Sequence, residues 1–335
     1  MSILITGITG FLGSHLVKEL RNIYPNREIR ALILPNEQTK CEQYSNYDVK
    51  FHTGTLTVRK SLRGCLKDVD SVFHLAAIVD DLAPVQDFYN VNHLGTQNLL
   101  EEFIISGCSN FTYMSTMGVY GFNLPNSPID ETREINLIPG YRESKYLGER
   151  TVFSYANRYG FKASALRPPI FFGPGDYHWT PTIYNLVESG RRVPLIGQGK
   201  ASLAYSYVDD VVEALIKMDE IDEAKNEIFN HTSFHITMKE IFETAAEILN
   251  RELKTFNLNY QLAMIIGLFG EIQWKVLRKR PLLNRYRVMQ LGKTRIVNTK
   301  KIEEILGISN KISFKEALKE TFNWYSKCEE RQISN

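Results

Sequence analysis

Hydrophobic and polar positions follow two patterns that alternate along the first half of the chain. Short apolar runs rich in β-branched residues are followed by longer stretches whose apolar positions recur every three or four residues. The predicted strands are Ile3–Ile5, Ile29–Leu34, Val49–Phe51, Ser71–Leu75, Phe111–Ser115 and Ala163–Leu166. The predicted helices are Phe11–Asn22, Lys60–Leu66, Val85–Ser106 and Tyr141–Tyr159. Strands that alternate with helices in this way indicate an α/β fold with a parallel sheet covered on both faces.

The pattern changes after Arg167, where RPPIFFGPGD is dense in Pro and Gly. Such a segment is typical of an irregular crossing between layers. A lone strand is predicted at Ala204–Val208, followed by helices near 209–218, 238–249 and 313–327. We therefore predict a sheet domain over residues 1–167, to which 204–220 returns. Residues 168–203 and 221–330 are predicted to form a smaller, mostly helical domain.

The most apolar later segment is LAMIIGLFG at 262–270, which is too short to span a bilayer. Its apolar side chains fall on every face of a helix, which predicts a buried helix followed by a solvated basic loop. The alternative is that this segment covers a substrate pocket at a membrane surface. The cations Arg278, Lys279 and Arg280 would then contact anionic headgroups.

Composition excludes some classes of function. The 40 basic and 38 acidic side chains give a net charge of +2, which does not predict a nucleic-acid partner. The four cysteines lack CxxC spacing, which favours a reducing, cytoplasmic location and predicts no metal site. The first residues, MSILITG, lack the basic region of a signal peptide and are interpreted as a strand.

Three glycines lie between the first strand and the first helix, at Gly7, Gly10 and Gly13. A tight turn from strand to helix needs backbone freedom, and a phosphate approaches closely only where no side chain intervenes. The N–H groups at the start of a helix attract the anion. The glycine turn therefore predicts nucleotide binding, although its GxxGxxG spacing differs from the common GxGxxG fingerprint.

This turn is followed by HLAA at 74–77, YMSTMGVYG at 113–121, YRESK at 141–145 and RPPIFFGPGD at 167–176. In order and spacing these motifs resemble the extended short-chain dehydrogenase/reductase family, which includes NAD-dependent epimerases and dehydratases. The resemblance implies a Rossmann-type doubly wound sheet that binds NAD or NADP, and a smaller C-terminal substrate domain. It also implies a homodimer, packed through the helices Val85–Ser106 and Tyr141–Tyr159. The apolar residues noted on these helices are Leu99, Phe103, Leu147, Phe153 and Tyr155.

The same resemblance assigns site residues. Thr116, Tyr141 and Lys145 match the catalytic positions, and Asn92 matches a supporting asparagine. The implied cofactor-binding residues are Gly7, Gly10, Phe11, Leu12, Gly13, Leu56, Ala76, Tyr141, Lys145, Pro168 and Ile170. Thr116 and Tyr141 are also assigned to the substrate, and the aromatic-rich segment around Tyr177 is interpreted either as core or as a wall of the substrate pocket, which makes Tyr177 a candidate substrate residue. A free phenol has a pKa near 10, and we expect Lys145 and an oxidised nicotinamide to favour the phenolate of Tyr141.

The sequence departs from the family pattern at three places that concern the cofactor and the type of reaction. Leu34 ends the second strand where an acidic or basic residue usually selects NAD or NADP, so the cofactor stays open. Thr55 replaces an aspartate that usually contacts adenine. Met117 and Gly118 cannot move protons, which argues against sugar dehydration.

The segment RPPIFFGPGD resembles the corresponding segment in the hydroxysteroid dehydrogenase and dihydroflavonol reductase-like branch of the family. It lacks the asparagine that is frequent in sugar epimerases. We therefore predict an NAD(P)-dependent oxidoreductase that interconverts a secondary alcohol and a ketone on a partly apolar small molecule. A nucleotide-sugar epimerase that uses the same residues is the first alternative. A cofactor-binding or redox-sensing protein without turnover is the second.

Overall fold

The computed structural model describes residues 2–80, 82–309 and 311–333. Its strands are β1 (Ser2–Thr6), β2 (Glu28–Ile33), β3 (Val49–Thr53), β4 (Ser71–His74), β5 (Asn110–Met114), β6 (Lys162–Arg167), β7 (Ile170–Phe172), β8 (Val193–Ile196), β9 (Ser202–Tyr207), β10 (Glu227–Asn230), β11 (Phe234–Thr237) and β12 (Thr255–Leu258). Its helices are α1 (Phe11–Ile23), α2 (Val85–Phe88), α3 (Thr96–Ser106), α4 (Tyr141–Tyr159), α5 (Trp179–Glu188), α6 (Val208–Glu220), α7 (Met238–Leu249), α8 (Tyr260–Leu277), α9 (Arg285–Gly292), α10 (Lys300–Leu306) and α11 (Phe314–Ile333).

Seven strands form one parallel sheet in the order β10-β6-β5-β4-β1-β2-β3. All six neighbouring pairs are parallel, and β1 lies between β2 and β4. The strand order therefore reverses at β1, and in such sheets ligands bind outside the carboxyl ends of the strands at this reversal. The predicted Rossmann-type fold is confirmed.

The sheet is covered on both faces because successive side chains of a strand point to opposite sides. Ile3 and Ile5 of β1 pack with apolar residues of α1, α6 and α10, whereas Leu4 packs with those of α3 and α4. A third cluster joins α5, α7, α11 and the smaller sheet β11-β9-β7. The helices of the second region therefore have a core of their own.

The second region differs from the predicted lone strand. Short strands β7, β8, β10, β11 and β12 accompany β9, and each has only three or four residues. Runs this short carry almost no period-2 signal, which is why the pattern missed them. β10 pairs with β6 in the main sheet, so the range 221–330 contributes a strand to it.

The helix predicted at Lys60–Leu66 is also wrong. The structure has a single 3-10 turn over Arg59–Leu62, followed by turns through Asp68. Leu62, Cys65 and Leu66 are buried against the sheet. Their spacing imitates the apolar face of a helix.

The expectation of a buried helix at 262–270 is overturned. Only the small residues Ala263, Gly267 and Gly270 of α8 are buried, and they form one stripe along the helix. A Cβ on Gly267 would lie 2.7 Å from the backbone nitrogen of Arg285, so α8 packs closely on the start of α9. The large apolar side chains point outward and are 41–65% exposed: Leu262, Ile265, Ile266, Leu268, Phe269 and Ile272. Within the described ranges, no helix is both long and apolar enough to cross a bilayer.

Candidate active site

The glycine turn lies at the carboxyl end of β1, where the strand order reverses. Gly7 has a φ of +77°, and a Cβ there would lie 2.9 Å from the backbone nitrogen of Ala76. A Cβ on Gly13 would overlap the carbonyl of Gly7. Gly10 begins α1, and beyond its chain neighbours a Cβ there would meet only the Gly7 carbonyl among the described residues, at 3.3 Å. The side of Gly10 away from that carbonyl is open, which fits the pyrophosphate of a dinucleotide.

The position beside the end of β2 is occupied by Glu37. Its carboxylate accepts hydrogen bonds from the Thr9 hydroxyl (2.6 Å) and from the Leu34 backbone N–H (3.2 Å). Arg30 pairs instead with the carboxylate two residues earlier in the chain. The acid that Leu34 lacks is therefore supplied three residues later, and a carboxylate here suits a ribose 2′-hydroxyl.

Thr116 and Tyr141 face each other across the carboxyl end of β5. Thr116 precedes a 3-10 turn over Met117–Tyr120, and its hydroxyl accepts from the N–H of Gly118 at 3.1 Å. Tyr141 is the first residue of α4 and is half-buried, and its ring packs edge-on against Phe88 at 6.1 Å. The Thr116 side chain is near enough to the phenol to lower its pKa. The structure thus brings two predicted catalytic residues together.

Burial is the main influence on Tyr141 and raises the pKa of its phenol well above the usual value. Tyr286 of α9 raises this pKa further, whereas Thr116 and the guanidinium of Arg142 lower it. We expected Lys145 to be the cation that favours the phenolate. In the structure the positive charge of Arg142, the next residue in α4, has this effect.

Lys145 is buried one helical turn along α4. Its Nζ lies 4.3 Å from the centroid of the Tyr113 ring, and the Tyr113 hydroxyl donates to the Lys145 carbonyl at 3.1 Å. Burial lowers the pKa of Lys145 to about 7, and Glu149 opposes this change. Glu149 itself accepts from Ser115 (2.5 Å) and from Nε of Arg167 (2.9 Å). This buried ion pair fixes α4 to β6 directly behind the site.

Asn92 connects the loop after β4 with α4. It lies in a π-helical segment, Tyr89–Gly95, that joins α2 to α3. Its side-chain oxygen accepts from the N–H of Ile78 (2.8 Å), and its nitrogen donates to Ser144 (3.0 Å). Asn92 therefore holds two walls of the site together, consistent with the predicted supporting role.

The other predicted cofactor residues surround the glycine turn and the β6–β7 crossing. Phe11 stacks on Phe171 with ring centroids 5.7 Å apart, and the adjacent Ile170 is half-buried. The carbonyl of buried Pro168 accepts from the N–H of Met117 at 2.9 Å, which ties this crossing to the Thr116 turn. These contacts place the predicted residues at one edge of the sheet.

Three further predicted residues differ in their surroundings. Leu12 and Leu56 are buried in the two cores beside the sheet. Tyr177 is 64% exposed and packs against Trp324 of α11 at 5.4 Å, not against the Thr116–Tyr141 pair. The structure therefore does not bring Tyr177 to the pair that it was expected to join.

Sequence reasoning missed three residues of the site: Arg142, Glu149 and Tyr286. Arg142 stands inside YRESK and Glu149 follows Lys145 by four positions, so both share the helix that carries the motif. Tyr286 comes from α9, far along the chain, and no local pattern signals it. All three are recognised only from the packing.

The parallel sheet with its reversal at β1, the glycine turn and the adjacent tyrosine–lysine helix define a Rossmann-fold enzyme of the extended short-chain dehydrogenase/reductase type. The model of the NAD-dependent epimerase/dehydratase family matches residues 3–231, and the chain belongs to this family. It is an NAD(P)-dependent oxidoreductase or epimerase.

Relatives include both kinds of enzyme. The chain is 27% identical to the sterol-4-alpha-carboxylate 3-dehydrogenase (decarboxylating) of Saccharomyces cerevisiae, over 96% of this chain and 97% of that protein. It is 25% identical to the N-acetyl-alpha-D-glucosaminyl-diphospho-ditrans,octacis-undecaprenol 4-epimerase of Escherichia coli O157:H7, over 88% and 86%. The structure of UDP-glucose 4-epimerase from Thermotoga maritima with UDP-glucose superposes with a TM-score of 0.80 at 26% identity, over 98% and 99% of the two chains.

Proposed function

We propose that this protein is an NAD-dependent oxidoreductase that interconverts a secondary alcohol and a ketone on a partly apolar small molecule. The observation that carries the proposal is the half-buried Tyr141, whose phenol interacts with the Thr116 side chain at the edge of the sheet that also carries the glycine turn. A bound nicotinamide supplies the hydride acceptor or donor. The protein supplies the proton transfer and the orientation of the substrate.

The site residues divide this work. Thr116 donates a hydrogen bond to the substrate oxygen, and Tyr141 exchanges the proton of the alcohol. Because burial raises the pKa of Tyr141, the phenol holds its proton and is ready to donate it to a ketone. In the oxidative direction the guanidinium of Arg142 favours loss of that proton.

Glu37 supports a preference for NAD. Its carboxylate is anchored by Thr9 and the Leu34 N–H beside the glycine turn, where it would accept from a ribose 2′-hydroxyl and repel a 2′-phosphate. Glu37→Gln is expected to reduce the ratio of the NADP to the NAD dissociation constant at least tenfold. Equal affinities of the wild type for NAD and NADP in calorimetric titrations would contradict this assignment.

The exposed face of α8 supports an apolar substrate taken from a membrane surface. α8 packs on α9, whose Tyr286 influences Tyr141, so the apolar helix lies one layer above the site. The basic residues 278–280 follow it, and Arg280 pairs with Asp80 in the loop after β4. An exposed apolar helix followed by cations is typical of proteins that rest on anionic bilayers.

The proposed contact between α8 and a membrane surface is tested by flotation with vesicles. Wild-type protein is expected to bind vesicles that contain phosphatidylserine, and Phe269→Glu together with Ile265→Glu is expected to abolish binding. Because both side chains are 52–65% exposed, the variant should melt at the wild-type temperature. Equal flotation of wild type and variant would exclude α8 as the contact.

A sugar 4-epimerase is the second candidate, and the Escherichia coli relative acts on a sugar linked to undecaprenol through a diphosphate. The exposed α8 is compatible with a lipid-linked sugar of that kind. The two candidates are separated by turnover: steroid-like or prenyl-like alcohols should reduce NAD, whereas UDP-sugars should neither be epimerised nor protect the protein against heat. A thermal shift with a UDP-sugar and no response to any apolar alcohol would reverse the order.

A homodimer also forms part of the proposal. Leu99 and Phe103 are fully buried in the core, but Leu147, Phe153 and Tyr155 of α4 are half-buried and supply apolar surface for a partner. Light scattering at micromolar concentration should give the mass of a dimer, and a monomer would refute it.

A cytoplasmic location is proposed as well, since all four cysteines are free thiols. Mass spectrometry of protein alkylated in intact cells should find them reduced, and a disulfide would contradict the location.

A further inference from the structure

A continuous chain of hydrogen bonds runs from the predicted cofactor residue Ala76 to the backbone of the proposed catalytic tyrosine. It starts at the N–H of Ala76, which donates to Oγ1 of Thr6 at 3.2 Å, immediately before the glycine turn. Oγ1 of Thr6 lies 2.7 Å from Nδ1 of His74, and Nε2 of His74 lies 2.9 Å from Oγ1 of Thr96. The Thr96 hydroxyl then donates to the carbonyl of Asn92 at 2.8 Å.

The second half of the chain passes through the side chain of Asn92. Its Nδ2 donates to Oγ of Ser144 at 3.0 Å, and Oγ of Ser144 donates to the main-chain carbonyl of Tyr141 at 2.8 Å. The chain therefore ends on the residue whose phenol exchanges the proton in the proposed reaction. The five side chains that form it are at most 1% exposed: Thr6, His74, Asn92, Thr96 and Ser144.

The donors and acceptors give the chain one direction. A carbonyl oxygen only accepts, so the single hydroxyl proton of Thr96 points at Asn92, and Thr96 must accept from Nε2–H of His74. In a neutral ring Nδ1 then accepts from the hydroxyl of Thr6. Burial and the charge of Lys145 lower the pKa of His74 to about 3, so the ring is neutral at physiological pH.

The chain also fixes a helical segment of unusual geometry. Asn92 lies in the π-helical segment Tyr89–Gly95, and such segments are rare and frequent at functional sites. α4 packs directly on it, because a Cβ on Gly148 would lie 2.6 Å from the Asn92 carbonyl. The Thr96 hydroxyl bonds to that same carbonyl. The chain therefore holds both the π-helical turn and the part of α4 that rests on it.

We propose that His74 is a positioning residue for the reaction, which holds the carboxyl ends of β1 and β4 in a fixed relation to the backbone of Tyr141. An apolar ring would fill the same space but would leave the hydroxyls of Thr6 and Thr96 without their partner. A misplacement of about 1 Å slows an enzymatic step roughly a hundredfold, so a broken chain should lower kcat more than it weakens binding. The reaction that is slowed rests on the proposed function, whereas the effect on α4 does not.

The direction of the chain is tested by NMR of protein labelled with 15N-histidine. His74 is expected to carry its proton on Nε2 and to stay neutral between about pH 5 and pH 8, because burial disfavours the charged ring. The signal is assigned by its absence from His74→Phe, or from the cross-peaks of wild type if that variant does not fold. A ring protonated on Nδ1 would reverse the chain and overturn the proposal.

Thr96 offers a matched pair of variants in the middle of the chain. Thr96→Val removes the hydroxyl and keeps the shape of the side chain, whereas Thr96→Ser keeps the hydroxyl. Ser144→Ala breaks the same chain at its far end. His231→Phe is the control, because His231 is 1% exposed and bonds to Ser206 outside the chain.

Hydrogen exchange of the NAD-loaded proteins reports on α4 without requiring turnover. The measured quantity is the ratio of the exchange rate of amides 144–148, in the first turns of α4, to that of the amides of α1. We expect this ratio to rise at least tenfold in Thr96→Val and Ser144→Ala, and to equal that of wild type in Thr96→Ser and His231→Phe. If His74 and Thr96 only contribute to overall stability, the ratio stays at the wild-type value in Thr96→Val, and the proposal is overturned.

Turnover of androsterone, a steroid with a secondary alcohol, gives the second measurement. With NAD, kcat should fall at least tenfold in Thr96→Val and Ser144→Ala, while KM and the NAD dissociation constant change less than threefold. Thr96→Ser should keep at least half of the wild-type kcat. Because both breaks affect one chain, the double variant should be no more than twofold slower than the slower single variant.

The outcomes separate the positioning role from the proposed function. If wild type does not oxidise the steroid while the exchange ratio responds as expected, the positioning role is supported and the proposed function fails. If wild type oxidises it and Thr96→Val keeps the wild-type kcat, the positioning role is overturned. Losses that multiply in the double variant would show two independent effects and contradict a single chain.

Discussion

The buried position of Lys145 can be tested quantitatively through the pH dependence of the free energy of unfolding, because its amine packs against the Tyr113 ring. Its pKa falls from 10.5 to about 7, mainly through burial. Such a decrease in proton affinity corresponds to roughly 5 kcal/mol of unfavourable interaction for the charged form. Replacement by Met removes the charge while keeping an unbranched chain of similar length.

The sign of the pH dependence follows from linkage. Between about pH 7 and pH 10 the unfolded chain holds a proton on Lys145 that the folded chain releases, so the free energy of unfolding of wild type rises with pH relative to Lys145→Met. Below about pH 7 both states are protonated and the full cost of the buried charge is present. We expect wild type to gain roughly 3 kcal/mol relative to the variant between pH 7 and pH 10.

Urea unfolding of both proteins at pH 6, 7, 8, 9 and 10 measures this difference. Lys18→Met is the control, because Lys18 is exposed on α1 and its replacement should leave the pH dependence unchanged. Two titratable groups interact with Lys145: it lowers the pKa of His74, and Glu149 raises the pKa of Lys145. If the difference in free energy of unfolding between wild type and Lys145→Met stays constant with pH, the conclusion that Lys145 has a lowered pKa in the folded chain is refuted.

The remaining predictions concern the phenol, the glycine turn and the ion pair behind the site. Tyr141→Phe should reduce turnover more than tenfold and leave NAD affinity nearly intact, because the phenol supplies a proton and few cofactor contacts; a rate above a tenth of wild type would contradict it. Gly10→Val should weaken NAD binding at least tenfold in calorimetry yet fold normally, since the position is open, whereas Gly7→Val should destabilise the fold itself, because its φ is positive and Ala76 is in the way. Glu149→Gln should lower the free energy of unfolding by about 3 to 5 kcal/mol, because the buried guanidinium that it pairs with is left uncompensated; a loss below 1 kcal/mol in urea would show that the pair is not needed.

The elements that define the cofactor half of the protein could be predicted because their signals are local. α4 begins and ends where its pattern predicted, between Gly140 and Gly160, both of which have positive φ. The glycine turn was visible for the same reason. Its residues are neighbours in the chain, and their conformational role follows from the absence of a side chain.

What the sequence did not reveal depends on contacts between distant segments. α8 was predicted to be buried, but only Ala263, Gly267 and Gly270 face the protein, and hydrophobicity alone does not distinguish burial from an exposed apolar surface. His74 and Ser144 belong to the same chain of hydrogen bonds but are 70 residues apart, so no spacing rule could join them. The spacing of Tyr141 and Lys145 predicts that Lys145, with an oxidised nicotinamide, lowers the pKa of the phenol, whereas in the folded chain burial and Tyr286 raise this pKa and Thr116 and Arg142 lower it.

The destination of the substrate hydride tests the central claim most directly. An apolar secondary alcohol deuterated at the carbinol carbon, incubated with the protein and NAD, should yield ketone and free deuterated NADH, detected by mass spectrometry and by absorbance. Tyr141→Phe should yield neither product. Return of the deuterium to an inverted carbon of a sugar substrate, with no NADH released, would contradict the account and identify the protein as an epimerase.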